Sequence, residues 1–207
     1  MIPASSRTSI RRPLAFKEGD TDWGGDNWRQ PTDPTRWLKY SVVWYSQRIT
    51  HALGEKRLQQ YVTAFAYGNA DISGGPGKKN GLDRAWIASS LKISPLEQIA
   101  FLRKLVNRKL PVSPKAFDMT MRVVETTSLP KSWEVHGKTG SALPRRPDGT
   151  FDEAHGWGWF VGWAVTRERE IVFARLVQDE EKQPGSAGIR ARDALFKLLP
   201  SLPDQTN

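Results

Sequence analysis

The sequence of 207 residues contains no cysteine, and this absence excludes disulfide bonds, thiolate catalysis and cysteine-ligated zinc. Histidine is scarce as well. The three histidines, His51, His136 and His155, do not occur at the spacing of a His-Glu-x-x-His metal motif. Long apolar runs are also missing, since no stretch approaches 18 consecutive apolar residues. We therefore expect no metal site and no membrane insertion.

Positive charge is in excess, with 31 lysines and arginines against 22 aspartates and glutamates and a formal net charge of +9. Such an excess can attract nucleic acid, an anionic membrane or a carboxylate-bearing small molecule, or it can simply give a cationic surface. The densest basic pairs are scattered through segments flanked by proline or glycine: Arg11-Arg12, Lys78-Lys79 and Arg145-Arg146. This scatter favours the cationic surface, so no nucleic-acid partner is predicted. A basic nucleic-acid-binding module remains an alternative.

The N-terminal segment Met1–Phe16 is basic but lacks the apolar stretch of a secretory signal peptide. We expect residues 1–15 to be an unrelated or disordered leader, residues 16–200 to form one partial domain, and residues 201–207 to be a tail.

Hydrophobic periodicity predicts helices in the first part of the chain, after a stretch over residues 1–37 that is interpreted as mostly loop. Ser94, Pro95 and Glu97 form a capping-box pattern before a helix whose apolar face would include Leu96 and Leu102. The other predicted helices begin at Ser41, with Gly54 as C-cap, at Glu55 and at Ser113-Pro114. A long loop is predicted over Tyr67–Asp83, of a kind that is often functional.

Beyond Trp133 the apolar period changes from that of helices to that of strands. The predicted strands are Trp133–Thr139, Gly156–Arg167 and Glu170–Gln178, and a final helix is predicted over Gly188–Leu199. Helices followed by antiparallel strands and a closing helix on the sheet indicate the α+β class.

The most informative run is Lys138-Thr139-Gly140-Ser141, which lies where an extended segment meets a turn. The lysine supplies positive charge and the threonine a hydroxyl for an anionic group, while the glycine lets a bound molecule approach the backbone. A lysine between apolar strand residues and a glycine is hard to explain by packing alone. The aromatic run Trp157–Trp163 follows, and its tryptophans are interpreted as packing residues.

Two further motifs precede this run in order: Ser41-Val42-Val43 at a predicted helix start, and Tyr67-Gly68-Asn69 in the long loop. Together with Lys138-Thr139-Gly140 they resemble the class D, oxacillinase-type serine β-lactamases of the penicillin-recognising serine enzyme superfamily. That family's pattern is Ser-x-x-Lys, Ser-x-Val, Tyr-Gly-Asn and Lys-Thr-Gly. The resemblance covers roughly Phe16 to Leu199 and includes the stretches around Trp86 and Ser94.

The resemblance implies a β-lactamase/transpeptidase-like fold with a helical region, and an acyl-enzyme mechanism in which a serine opens the β-lactam ring. Carried over by position, Ser41 would relay a proton, and Lys138 and Thr139 would bind the substrate carboxylate. Gly140 and Ser141 would complete the substrate site, with Ser141 or its backbone N–H contributing to the oxyanion hole. The remaining family positions are Arg190, which would pair with the carboxylate, Trp86, which would shield a lysine carbamate, and Val43, Tyr67 and Asn69.

Each of these residues also has a purely structural interpretation. Ser41 could be a helix N-cap, Tyr67-Gly68-Asn69 an ordinary turn, Trp86 a core aromatic and Arg190 a solvated helix residue.

No Ser-x-x-Lys run precedes Ser41, although the family carries this motif about fifty residues before Ser-x-Val. We therefore expect an N-terminally truncated member that lacks the N-terminal strands, the nucleophile helix and the nucleophile, and is inactive as it stands. No cofactor is expected, because the family's lysine carbamate needs the missing lysine. A penicillin-binding sensor-type domain without turnover is the alternative.

The resemblance also implies a β-lactam as partner, a periplasmic location and a part in antibiotic resistance. It leaves the oligomeric state and the β-lactam spectrum open.

Overall fold

The computed structural model describes residues 13–87 and 89–203. The chain divides into two compact units, Met1–Glu125 and Thr126–Asn207. The leader prediction for residues 1–15 falls largely outside the described residues, as does most of the predicted tail.

The first unit is helical. Its described helices are α1 (Asp26–Arg29), α2 (Pro34–Tyr40), α3 (Val43–Leu53), α4 (Glu55–Ala64), α5 (Gly81–Arg84), α6 (Pro95–Val106) and α7 (Pro114–Val123). The helices predicted from Ser41, Glu55, Ser94 and Ser113 are therefore confirmed to within two residues. Gly54 ends α3 with a φ of 75°, as its assignment as C-cap requires.

The prediction of mostly loop over residues 1–37 agrees with most of its described part, residues 13–37, but it did not include α1 or the start of α2. Leu14 forms an isolated bridge with Thr32, and α1 and α2 follow each other closely. The Asp33 side chain accepts a hydrogen bond from the Arg36 backbone N–H at 2.8 Å, with proline at the first helical position. An Asp-Pro pair is a helix-start signal that outweighs the surrounding turn-forming residues.

The capping box at the start of α6 is confirmed. The Ser94 hydroxyl accepts from the Glu97 N–H at 3.3 Å, and the Glu97 carboxylate accepts from the Ser94 N–H at 2.8 Å. The predicted apolar face is wrong at Leu96, which is 79% exposed, whereas Gln98 is 6% exposed and Leu102 is 5% exposed. The buried side of α6 passes through Gln98 and Leu102, and at about 100° per residue Leu96 lies about 200° from Gln98, on the exposed side.

The second unit is an antiparallel sheet with one long helix. Its strands are β1 (Glu125–Leu129), β2 (Trp133–Ala142), β3 (Trp157–Val165) and β4 (Glu170–Gln178), in spatial order β1-β2-β3-β4. The helix α8 (Ala187–Leu198) follows, with a 3-10 turn at Leu199–Ser201. The predicted strands and closing helix are confirmed, and β1 is an addition that the pattern did not predict.

The helix α8 packs on one face of the sheet. The shared core contains Val135 of β2, Phe160 of β3, and Ala191 and Leu195 of α8. A side chain at Gly158 would meet the Ala187 carbonyl oxygen at 2.3 Å. This glycine therefore lets the first turn of the helix lie directly on β3, and the approach fixes the helix start relative to the sheet.

Candidate active site

The Lys138-Thr139-Gly140 run lies in the second half of β2 and is paired on one side with β3. Lys138 lies opposite Val161, and Gly140 lies opposite Trp159. Since β1 has five residues and β2 has ten, the C-terminal part of β2 extends beyond β1. The predicted substrate-binding residues thus lie where one edge of β2 is not covered by its neighbour.

Successive side chains of a strand point to opposite faces of the sheet, so Lys138 and Thr139 lie on different faces. Lys138 is half-buried, and its Nζ donates a hydrogen bond to the Thr139 carbonyl oxygen at 2.6 Å. This contact holds the ammonium group close to the strand backbone. The positive charge therefore lies at the section of β2 that the sequence predicts to bind an anion.

Ser141 joins the end of β2 to the start of α8. Its Oγ accepts a hydrogen bond from the Gly188 N–H at 2.9 Å and lies 2.7 Å from the Ser186 Oγ. A side chain at Gly188 would meet the Gly140 carbonyl oxygen at 2.4 Å, so the two backbones approach closely there. The Ser141 hydroxyl is thus hydrogen-bonded to the start of α8. Of the two groups of Ser141 that are predicted for the oxyanion hole, the backbone N–H takes no part in these hydrogen bonds.

Arg190 lies on α8, but its guanidinium is bonded to the loop that precedes the helix. Its nitrogens donate to the Asp179 carboxylate at 2.5 Å and to the carbonyl oxygens of Pro184 and Gly185 at 2.6 and 3.1 Å. The Asp179 side chain is only 12% exposed. In this arrangement Arg190 ties the loop to the helix, and the carboxylate-binding role that the family implies stays a prediction.

Ser41 lies in the short link between α2 and α3, in the first unit. It is the C-cap of α2 with a left-handed φ of 52°, and its side chain is exposed. The N-cap of α3 is Val42, so the interpretation of Ser41 as a helix N-cap is wrong. The link is held by Val42, Trp44 and Tyr45, whose exposed fractions are 0%, 1% and 0%. Val43 is the first residue of α3.

Asn69 connects the long loop to the segment before α6. Its Nδ2 donates to the Ser90 carbonyl oxygen at 2.8 Å, and its Oδ1 accepts from the Lys92 N–H at 2.9 Å. Gly68 has a φ of 54°, and a side chain there would meet the Lys92 carbonyl oxygen at 1.9 Å. The Tyr67-Gly68-Asn69 motif is therefore more than an ordinary turn, because it fixes two chain segments about 23 residues apart.

Tyr67 and Trp86 belong to one apolar cluster around Val62, Ile72 and Ala85. The Tyr67 hydroxyl donates to the Gln98 Oε1 at 3.4 Å, and burial raises the pKa of Tyr67. Trp86 is half-buried in this cluster, which agrees with its interpretation as a core aromatic. Its predicted role beside a lysine carbamate stays a prediction.

Two Ser-x-x-Lys runs occur downstream of Ser41, and they span Ser89–Lys92 and Ser128–Lys131. Neither is helical. The first lies in an irregular stretch, and the second spans the end of β1 and the following turn. On a helix, residues three apart are neighbours on one face, which is how such a spacing pairs a serine with a lysine. Neither run has that geometry.

Sequence reasoning missed the residues that position the predicted ones. Ser186 and Gly188 hold Ser141, and Asp179 holds Arg190. A local pattern cannot reveal such pairs, because the partners are between 11 and 47 residues apart. Within residues 13–87 and 89–203, no helix is long and apolar enough to cross a membrane, and no acidic or histidine cluster suits a metal ion.

The α+β fold and these motifs agree with a match to a known domain. The family described as the penicillin binding protein transpeptidase domain matches residues 8–200 of the chain. The protein is therefore of the penicillin-binding transpeptidase class.

Individual relatives narrow this class. The β-lactamase OXA-9 of Klebsiella pneumoniae is 46% identical over 169 residues, which cover 82% of this chain and 62% of that protein. The β-lactamase OXA-1 of Escherichia coli is 35% identical over 194 residues, covering 93% and 68%. The crystal structure of the class D β-lactamase OXA-427 has a TM-score of 0.82 at 46% identity, covering 91% of this chain and 77% of that chain. The chain belongs to the class D β-lactamase family.

A penicillin receptor has the same fold. The C-terminal domain of the Bacillus licheniformis BlaR penicillin-receptor has a TM-score of 0.74 at 26% identity, covering 93% of this chain and 71% of that chain. The present chain spans 62% of the length of OXA-9, so the activity of the whole relative does not follow from the match alone.

Proposed function

We propose that this chain binds β-lactams through the exposed end of β2 and does not hydrolyse them as it stands. The observation that carries the proposal is the position of Lys138 and Thr139 on β2, beyond the reach of β1, with Ser141 tied to α8. Because Lys138 and Thr139 point to opposite faces of β2, a carboxylate that both contact would lie against the uncovered edge of the strand. Charge-assisted hydrogen bonds from the ammonium group and the hydroxyl would contribute about 1.5–3 kcal/mol each. The partner is then a small anionic molecule.

The family resemblance implies roles for further residues. Ser41 would relay a proton between the nucleophile and the leaving nitrogen in a family member that carries Ser-x-x-Lys. The resemblance also assigns Tyr67 and Asn69 to the site, and within the first unit their hydrogen bonds hold the long loop. Gly140 would allow the substrate to lie against β2. We place the protein in the periplasm by family resemblance.

The proposed inactivity rests on the chemistry of the nucleophile. Acyl transfer begins with the attack of a serine that a neighbouring base activates. No Ser-x-x-Lys precedes Ser41, and neither downstream run has the helical geometry that pairs the two side chains. Loss of the nucleophile of a serine hydrolase lowers kcat by about 10⁶-fold, and the remaining groups add little without it. We therefore expect the chain to bind β-lactams without hydrolysing them.

Equilibrium binding tests the proposal. Saturation-transfer NMR with benzylpenicillin should show saturable contact with the purified chain, and Lys138→Ala should weaken it by roughly tenfold or more, the equivalent of about 1.4 kcal/mol. Lys115→Ala removes an exposed lysine from α7 and is the matched control. Benzylpenicillin binding that Lys138→Ala leaves unchanged would refute the role of β2.

The likeness to the BlaR penicillin-receptor domain supports a second candidate, a sensor-type domain that reacts with penicillin and holds it. This candidate requires a covalent adduct. Incubation with a fluorescent penicillin followed by gel analysis separates the two: we expect no labelled band, and a stable band on one serine would favour the sensor.

A further inference from the structure

We propose that a cavity of about 400 Å³ at the start of β2 binds a small organic anion. The cavity lies between the β1–β2 turn, the β3–β4 turn and the segment Leu202-Pro203 that follows the 3-10 turn. Trp133 begins β2, and Lys138 lies five residues further along. At about 3.3 Å per residue the cavity is therefore about 17 Å of strand away from the β-lactam site. It is a separate site on the same sheet.

Positive charge dominates the wall of the cavity. Lys131, Arg167 and Arg169 line it, and Glu168 is the one acidic residue among its lining. Arg169 donates a hydrogen bond to the Pro203 carbonyl oxygen at 2.8 Å. In the described part of the chain, the side chains of Lys131 and Arg167 form no ion pair. Three cations around one concave site attract an anion more strongly than dispersed surface charges do.

Both turns have a defined backbone. Lys131 and Ser132 have φ values of 59° and 58°, the left-handed pair that a tight hairpin turn requires. In the other turn the Thr166 N–H donates to the Arg169 carbonyl oxygen at 2.8 Å, and the Glu168 N–H donates to the Thr166 Oγ1 at 3.2 Å. The cationic residues are thus carried on two ordered hairpins, which lowers the entropy cost of gathering them around a ligand.

Apolar residues also line the cavity. They are Trp133, which is 5% exposed, Leu202 and Pro203. The Arg169 guanidinium lies 6.0 Å from the centre of the Trp133 ring. A lining that combines cationic and apolar residues suits an anion carried on a small apolar body, such as an aromatic carboxylate or phosphate ester. The volume lies at the lower end of the range of small-molecule sites, roughly 300–1,000 Å³.

Phenyl phosphate is the probe, because it joins a dianion to an aromatic ring. We expect a saturable shift of the Trp133 indole N–H signal in ¹⁵N NMR at low ionic strength, with the signal assigned by Trp133→Phe. Inorganic phosphate should bind more weakly, and phenol should give no saturable shift. Arg167→Gln and Lys131→Gln should each raise the Kd by roughly threefold to tenfold, and Glu168→Gln should lower it.

Lys115→Gln is the control, since it removes one exposed lysine from the other unit. The site is refuted if phenyl phosphate produces no saturable shift at Trp133, or if Lys115→Gln raises the Kd as much as Arg167→Gln does. Equal affinity for inorganic phosphate would refute the apolar part of the site. Because Lys138 is not altered, failure of this experiment leaves the β-lactam proposal unaffected.

Discussion

The change Gly68→Ala tests whether the Tyr67-Gly68-Asn69 motif holds the long loop in place. Gly68 has a φ of 54°, and non-glycine residues pay about 1–2 kcal/mol in this left-handed region. The alanine Cβ would also lie 1.9 Å from the Lys92 carbonyl oxygen, so the two backbones would have to separate. Separation breaks the Asn69 N–H to Lys92 carbonyl bond of 3.0 Å and the Lys92 N–H to Asn69 Oδ1 bond of 2.9 Å.

Each of these two hydrogen bonds contributes about 1 kcal/mol net. The free energy of unfolding should therefore fall by about 3–4 kcal/mol in Gly68→Ala, measured by urea denaturation with tryptophan fluorescence. Gly77→Ala is the matched control, since Gly77 has a φ of 70° and its added Cβ would meet no atom within 4 Å. The free energy of unfolding of Gly77→Ala should fall by only about 1–2 kcal/mol, which is the cost of placing alanine in the left-handed region. If both variants lose the same free energy, the close contact with Lys92 does not hold the loop.

Three further changes test the contacts of the site and the core. Ser186→Ala removes one hydroxyl pair and should lower the free energy of unfolding by about 0.5–1.5 kcal/mol, whereas Ser141→Ala also leaves the buried Gly188 N–H without its acceptor and should cost about 1–3 kcal/mol. If urea denaturation showed a larger loss in Ser186→Ala than in Ser141→Ala, the hydrogen bond from Gly188 to Ser141 would not be the more important of the two contacts. Tyr45 is fully buried, and burial, with a contribution from Asp33, raises its pKa to about 12. The folded state therefore holds this proton up to about pH 12, whereas an unfolded tyrosine loses it near pH 10. Stability should fall as the pH rises between these values, and Tyr45→Phe should reduce that fall. An unchanged pH dependence in Tyr45→Phe would assign the fall to other groups.

Capping signals and apolar periodicity predicted most of the fold. The Ser94 capping box and the Gly54 C-cap depend on neighbouring residues alone, so the sequence contains all that is needed to find them. Strand β1 was missed because Glu125–Leu129 is largely polar, with half-buried residues only at alternate positions in its second part. Its strand conformation comes from pairing with β2, which local propensity does not reveal.

For the candidate site, the sequence predicts which residues take part but not which side chains and backbone groups they contact. The motif order predicts Lys138 as a site residue and the family resemblance adds Ser141, but the bond from Gly188 to Ser141 joins residues 47 apart. The left-handed conformation of Ser41 likewise depends on the packing of the helices on either side. Arg190 matches a family position, yet its observed partner is Asp179. Side-chain partners of this kind are set by tertiary structure.

Nitrocefin hydrolysis tests the central claim most directly. The purified 207-residue chain is assayed at saturating nitrocefin with added bicarbonate, beside a Lys138→Ala variant and a buffer blank. We expect both proteins to give the rate of the blank, because β2 would bind the substrate while no activated serine attacks it. Turnover above the blank that is lost in Lys138→Ala would contradict this expectation.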